Sequence, residues 1–305
     1  MRYQVKEKLI SVGLLLPSMV AIGVFVYGFI GRTIQVSFMD WNDIMSFMQG
    51  EIDFVGLANF RRLLNDARFI TGLWNNLFFM ILFIVGTLAV GIMLSVFIND
   101  KPRGHYIFQN LYLFPFAVSF VVTGTVWRWI FAPGSPASPR GINILFHQIG
   151  LPGLSWEWFT STFSIGPFNI ALVTIVVAAI WQFSGYTMAM WLAGLRGIPE
   201  QLIEAARIDG ASKWQIFTRI LFPMQKAITL SAIIILAHIS LKAFDLVYVM
   251  TGSGPRNVTD IPAVYMYETT FRGNNYSRGA GISIILLMMV GVLIIPYLIS
   301  TFREE

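Results

Sequence analysis

Six apolar runs, each long enough to cross a lipid bilayer, leave this 305-residue chain few folds to choose from. They lie at about residues 9–31, 72–98, 106–127, 168–195, 227–250 and 279–302. A spanning helix needs about 20 apolar residues, because the hydrocarbon core is about 30 Å thick and each helical residue rises about 1.5 Å. In lipid every backbone N–H and C=O must find its partner inside the protein, so such runs become helices. Composition agrees: 56% of residues are hydrophobic and only 12% charged, about half the charged share of a soluble domain. The expected fold is an all-α integral membrane protein with six transmembrane helices, forming a single domain over residues 1–305. The first run follows MRYQVKEK, which resembles the start of a signal peptide. It is about twice as long as a signal h-region and no A-x-A site follows, so it reads as a retained helix.

Lysine and arginine give the orientation. With the N-terminus inside, the inner segments hold Arg2, Lys6, Lys8, Lys101, Arg103, Arg196, Arg207, Lys213, Arg219, Lys226 and Arg303, against Arg32, Arg61, Arg62, Arg68, Arg140, Arg256, Arg272 and Arg278 outside. The inner cations are crowded into about half as many residues, so both termini are expected in the cytoplasm. The outer stretches then cover 32–71, 132–167 and 251–278, and the last includes TGSGPRNVTD, expected to be a flexible loop. The net charge of +5 is dispersed, so it reads as a topology signal and not as a nucleic-acid surface.

Several chemistries are excluded. The chain has no cysteine, and His105, His147 and His238 stand far apart, so no metal site is assigned. No nucleophile with a neighbouring base marks a catalytic centre. No GxxxxGK[ST] loop is present to hold a nucleotide.

Between the fourth and fifth runs lies EAARIDGASKWQIFTRILFPM, residues 204–224. Pro199 suits a first helical turn, and Glu200 and Glu204 suit the positive end of the helix dipole. Ala205 and Ala206 let another surface approach closely. Asp209-Gly210 signals a turn, and Ser212-x-x-Gln215 a capping box. Trp214, Phe217, Ile220 and Leu221 are expected to form an apolar stripe. The residues alone leave two readings: an interfacial connector, or a knob for a cytoplasmic partner.

This stretch resembles the EAA loop of binding-protein-dependent ABC importer permeases, matching at Glu204, Ala205, Ala206, Asp209, Gly210, Ala211, Phe217, Ile220 and Pro223. WLAGLRGIPEQLIEAA, FVGLANFRRLL, WRWIFAP with GINILFHQIGL, and AFDLVYVMTGSGP are similar to the sugar-permease (maltose/glycerol-phosphate-type) branch. TGSGP stands where a Gly-Gly-Gly-Pro version is common. AHISLKAFDLVYVMT and DIPAVYMYETTF lean toward glucose/mannose-type members. The resemblance implies the type I ABC importer permease fold in a prokaryotic inner membrane. It also implies a coupling helix at Glu204, Ala205, Ala206, Asp209 and Gly210, with Glu204 meeting a basic residue of an ATPase. The implied partners are a second homologous permease, two ATP-binding subunits that hold ATP and Mg, and a periplasmic or lipid-anchored sugar-binding protein. This chain would have no cofactor of its own.

Polar residues inside the fifth run carry the other signal. On a continuous helix Ser231, His238, Lys242 and Asp245 share one face. A central Lys or Asp costs about 2.5–3.5 kcal/mol in the bilayer, so these two should pair, line a wet path or gate it. Trp181, Gln182, Tyr186 and Tyr248 join Lys242 and Asp245 as substrate-path candidates. Gly86, Gly91, Gly185 and Gly194 read as close-packing positions, and Asn75 and Asn76 as partners across helices. An ion-gradient-driven secondary transporter is the alternative function, and an intramembrane enzyme on lipid-linked sugars a further one. The first would show repeated halves and the second clustered carboxylates.

Overall fold

The computed structural model describes residues 2–50, 52–100, 102–135, 137–166 and 168–303. Lys101 and Pro167 lie outside the described residues, as do the side chains of Arg2, Lys6, Lys8 and Arg303. The chain forms two compact units, residues 1–66 with 266–288 and residues 67–265 with 289–305.

In the first unit α1 (Arg2–Ile22) continues through a π-helical turn, Gly23–Gly28, into α2 (Phe29–Ser37). The apolar part, Val12–Ser37, is long enough to span a bilayer, and it runs six residues past the boundary expected at 31. Two short helices follow, α3 (Ile44–Gln49) and α4 (Ala58–Leu64). Asn59 of α4 is buried and its Nδ2 donates to the carbonyls of Ser37 (3.0 Å) and Met39 (2.7 Å), which closes the turn after α2. The Arg278 guanidinium binds Asp66, and the Trp41 and Ser277 backbones are joined through Ser277 N–H and the Trp41 carbonyl.

The second unit is built on α5 (Ala67–Asn99), a 33-residue helix about 50 Å long. It is followed by α6 (His105–Ala117), α7 (Phe120–Ile130), α8 (Ile142–Gln148) and α9 (Ala171–Arg196). The links between α7 and α9 include two tiny hairpins, β1 (Gly134–Ser135) with β2 (Ser138–Pro139) and β3 (Ser164–Ile165) with β4 (Phe168–Asn169). Then come α10 (Glu200–Ile208), α11 (Lys213–Ile216), a π-helical turn over Phe217–Leu221, α12 (Phe222–Met224), α13 (Lys226–Leu241), α14 (Phe244–Met250) and α15 (Pro262–Tyr267), which runs to the unit boundary. The long α16 (Tyr276–Arg303) ends the chain.

Glycines let α5, α6 and α9 approach closely. A Cβ on Gly91 of α5 would sit 2.7 Å from Thr187 Cβ, and one on Gly185 of α9 would collide with the Tyr112 carbonyl oxygen of α6. Gly86 and Gly194 are pressed in the same way, by Ile180 and by Gln225. In lipid, association relies on such van der Waals fit, because burying apolar side chains gains little over leaving them in hydrocarbon.

Two expected spans are not single helices. The run 106–127 is α6 and α7, bent by 99°. Ser119 breaks the helix there by capping α7 at the N–H of Val122. The run 227–250 is α13 and α14. Ala243, with φ −71° and ψ 53°, makes an inverse γ-turn in which Phe244 N–H donates to the Lys242 carbonyl at 2.7 Å. Sixteen residues of α13 reach about 24 Å, short of the hydrocarbon thickness, so α13 does not cross alone. Among the described residues four helices are long and apolar enough to span, and six spans result if two bent pairs, α6 with α7 and Lys213–Met224 with α13, each count as one.

Candidate functional site

A cavity of about 500 Å³ opens in the second unit where both broken spans meet α5 and α9. Five phenylalanines, Phe79, Phe83, Phe116, Phe120 and Phe183, supply most of its wall, and its polar lining comes from Ser119, Gln182, His238, Lys242 and Asp245. Irregular backbone at membrane depth is tolerated where it faces such a cavity, because its freed groups can be satisfied there. Here Gln182, buried on α9, donates from Nε2 to the Val118 carbonyl at the α6–α7 break, 2.7 Å away. Its Oε1 accepts no hydrogen bond among the described residues. Lys242 and Asp245 are exposed to the cavity, and no ion pair joins them among the described residues. The γ-turn removes the continuous helical spacing on which an i,i+3 pair depends.

At the far end of α9 the chain leaves the bundle in the segment 197–225. Pro199 caps α10 from one residue outside it, and Glu200 opens the helix. The helix ends in a Schellman turn: Ala211 N–H donates to the Ala206 carbonyl (2.9 Å) and Gly210 N–H to that of Arg207 (3.0 Å). Gly210 holds φ +78°, a left-handed conformation that suits glycine. The capping box is present, with Ser212 N–H on Gln215 Oε1 (2.8 Å) and Gln215 N–H on Ser212 Oγ (3.3 Å). Glu204, Ala205, Asp209 and Gly210 are exposed and Ala206 is half-buried. No residue of α10 is buried, and two large apolar side chains stand out, Ile208 at 86% exposed and Trp214 at 71%.

The apolar stripe expected along 214–221 is corrected in part: Phe217, Ile220 and Leu221 are half-buried, but Ile216 is the buried residue, and Trp214 is mostly exposed while its ring stacks on Phe217 at 5.7 Å. The unit is fixed to the bundle by Phe222, whose ring lies 5.8 Å from that of the buried Trp191. The Lys213 ammonium, 3.5 Å from Asp100 just past the end of α5, adds an exposed ion pair.

A family profile described as "binding-protein-dependent transport system inner membrane component" matches residues 87–302, which include the cavity's α9, α13 and α14 and the whole 197–225 segment. The chain belongs to this family. Among its relatives, a probable ABC transporter permease of Pyrococcus horikoshii is 42% identical, with 95% of each chain covered. The xylose/arabinose import permease XacH of Haloferax volcanii is 34% identical over 93% of this chain and 86% of its own. In fold, the permease is similar to a chain of the crystal structure of a bacterial alginate ABC transporter bound to its alginate-loaded periplasmic protein. The TM-score is 0.77 at 21% identity, covering 97% of this chain and 94% of the other. Membership sets aside the ion-driven transporter and the intramembrane enzyme as readings of the chain.

Of the six path candidates, the permease brings Gln182, Lys242 and Asp245 to the cavity. Trp181, Tyr186 and Tyr248 are not among its lining residues. Trp181 packs edge-on to Trp127 (5.8 Å), Tyr186 stacks on Phe116 (4.9 Å) and Tyr248 on Phe244 (5.0 Å). The aromatic wall was missed, since nothing in a sequence with 26 phenylalanines marks which ones face inward. Asn75 bonds to the Val258 and Asp260 carbonyls of the loop between α14 and α15 and not to another helix, whereas Asn76 is buried with no hydrogen-bond partner among the described residues.

Proposed function

We propose that this permease forms half of the path of an ATP-driven sugar importer in a prokaryotic inner membrane, crossing it six times with both termini in the cytoplasm. A second homologous permease completes the path. Two ATP-binding subunits, which carry ATP and Mg, seat on the 199–223 unit, and a periplasmic or lipid-anchored binding protein delivers the sugar. The ATPase activity belongs to those partner chains. The observation that carries this reading is the exposed knob at the cytoplasmic end of α9. Ile208 and Trp214 are exposed beside Glu204 and Asp209, a surface that suits a protein groove and not lipid. Rigid rocking of the two permeases, driven through such knobs, would expose the cavity to each side in turn.

Sugar is the solute class favoured by the relatives' names, and the cavity chemistry agrees. Phenyl faces suit the C–H faces of a sugar ring, while an amide, a carboxylate and an ammonium suit its hydroxyls. Glu204, Ala205, Ala206, Asp209 and Gly210 carry the coupling, and Gln182, Lys242 and Asp245 the solute contacts. The test is uptake of labelled xylose, arabinose, glucose and maltose by the assembled complex in proteoliposomes. Uptake of at least one that requires lumenal ATP and loaded binding protein is expected. Uptake driven by an ion gradient without ATP overturns the reading.

A further inference from the structure

The segment that leaves the bundle after α9 returns to it at a buried joint. Gln225 occupies the 68° bend between Lys213–Met224 and α13, and its side chain is buried. A Cβ on Gly194 of α9 would collide with Gln225 Oε1, so that oxygen lies against α9. Three residues earlier on each side, the ring of Phe222 lies 5.8 Å from that of the fully buried Trp191. Residues three apart on a helix share a face. Trp191 and Gly194 therefore form one side of the joint, and Phe222 and Gln225 the other.

The joint connects the surface of the 199–223 unit to the cavity. Aromatic rings follow one another inward from the exposed Trp214 to Phe217 (5.7 Å between centroids), Phe222 (6.1 Å) and Trp191 (5.8 Å). On the bundle side, α9 carries Gln182 and α13 carries His238 and Ile239 to the cavity wall. A turn at Gln225 moves one of these helices against the other.

Two polar atoms at the joint are unmatched. Trp191 Nε1 and Gln225 Oε1 are both buried, and neither has a hydrogen-bond partner among the described residues. The indole N–H can only donate and the amide carbonyl can only accept. Each raises the free energy of this conformation, and each is the partner the other lacks. Their levels on α9, Trp191 and Gly194, are less than one helical turn apart. Packed helices switch by shifts of this size.

We propose that Trp191 and Gln225 are positioning residues for coupling: when the ATPase turns the 199–223 unit, the Trp191 indole N–H donates to the Gln225 side-chain carbonyl and holds the joint in a second arrangement. This rests on the coupling role proposed above. The bond is absent from the conformation described and forms only in the driven one, so its loss affects work transmitted and not resting stability.

The experiment uses the complete complex in proteoliposomes. It measures sugar carried per ATP hydrolysed, and the melting temperature without ATP. Trp191→Phe keeps the ring and removes the donor, and Gln225→Met keeps the length and removes the acceptor. Each is expected to lower the sugar-to-ATP ratio about tenfold, the effect of about one hydrogen bond. The double variant should be no worse than the poorer single, because both lose the same bond. Melting should stay level or rise, since an unmatched buried group is removed. A parental ratio in either single variant overturns the proposal, and so does a double variant whose loss is the product of the two. A fall in melting, or failure of either variant to assemble, also overturns it, by assigning the two groups to a permanent bond or to packing. If the unaltered complex carries no sugar with ATP, the functional reading itself fails and this role with it.

Discussion

The side-chain amide of Gln182 donates a 2.7 Å hydrogen bond to the Val118 carbonyl, joining the middle of α9 to the residue at which α6 gives way to α7. Val118 is extended (ψ 139°), so its carbonyl has left the helical ladder of α6 and needs a donor from elsewhere. The amide thus braces the broken span from a residue that also lines the cavity.

Gln182→Leu keeps similar bulk and removes the donor. Leaving a half-buried carbonyl unmet costs up to about 1–3 kcal/mol. The purified complex should therefore melt at a lower temperature and transport more slowly. Parental melting together with parental uptake would contradict the bracing role.

The Schellman turn predicts graded effects at Gly210. Alanine there costs about 1–2 kcal/mol for its left-handed conformation and should weaken coupling mildly. Proline cannot reach φ +78° and has no N–H for the Arg207 carbonyl, so Gly210→Pro should abolish stimulated ATP hydrolysis. Membrane insertion, read from the amount of protein in the membrane fraction, should survive both changes.

Much of this organisation was legible in the residues. The apolar runs, the Asp-Gly turn, the capping box and the close-packing glycines all rest on local rules that the fold obeys. The break at Lys242 was not legible, because ISLKAFDLV contains no Pro or Gly to mark a turn. A helical wheel drawn through it therefore carried Asp245 past a break where the helix stops, although His238, Lys242 and Asp245 do reach the same cavity. The other break had a partial signal, Pro115 followed by Ser119, a good N-cap residue.

Lys242 and Asp245 face the cavity without pairing, so replacing them should alter transport more than stability. Asp245→Asn and Lys242→Met are each expected to lower sugar uptake at least about tenfold, as loss of a charged hydrogen bond of about 1.5–3 kcal/mol implies. Melting of the complex should change little. A drop in melting temperature with uptake intact would assign both residues to packing against another subunit.

The knob at residues 199–223 is proposed to pass the work of a separate ATPase to this bundle. Its most direct test is Glu204→Lys in the reconstituted complex, because Glu204 is exposed and the change reverses charge at the surface the partner must grip. The measurement is ATP hydrolysis in response to loaded binding protein. A variant that inserts normally but loses that response and its uptake is the predicted result, while hydrolysis and uptake at parental rates would contradict the account.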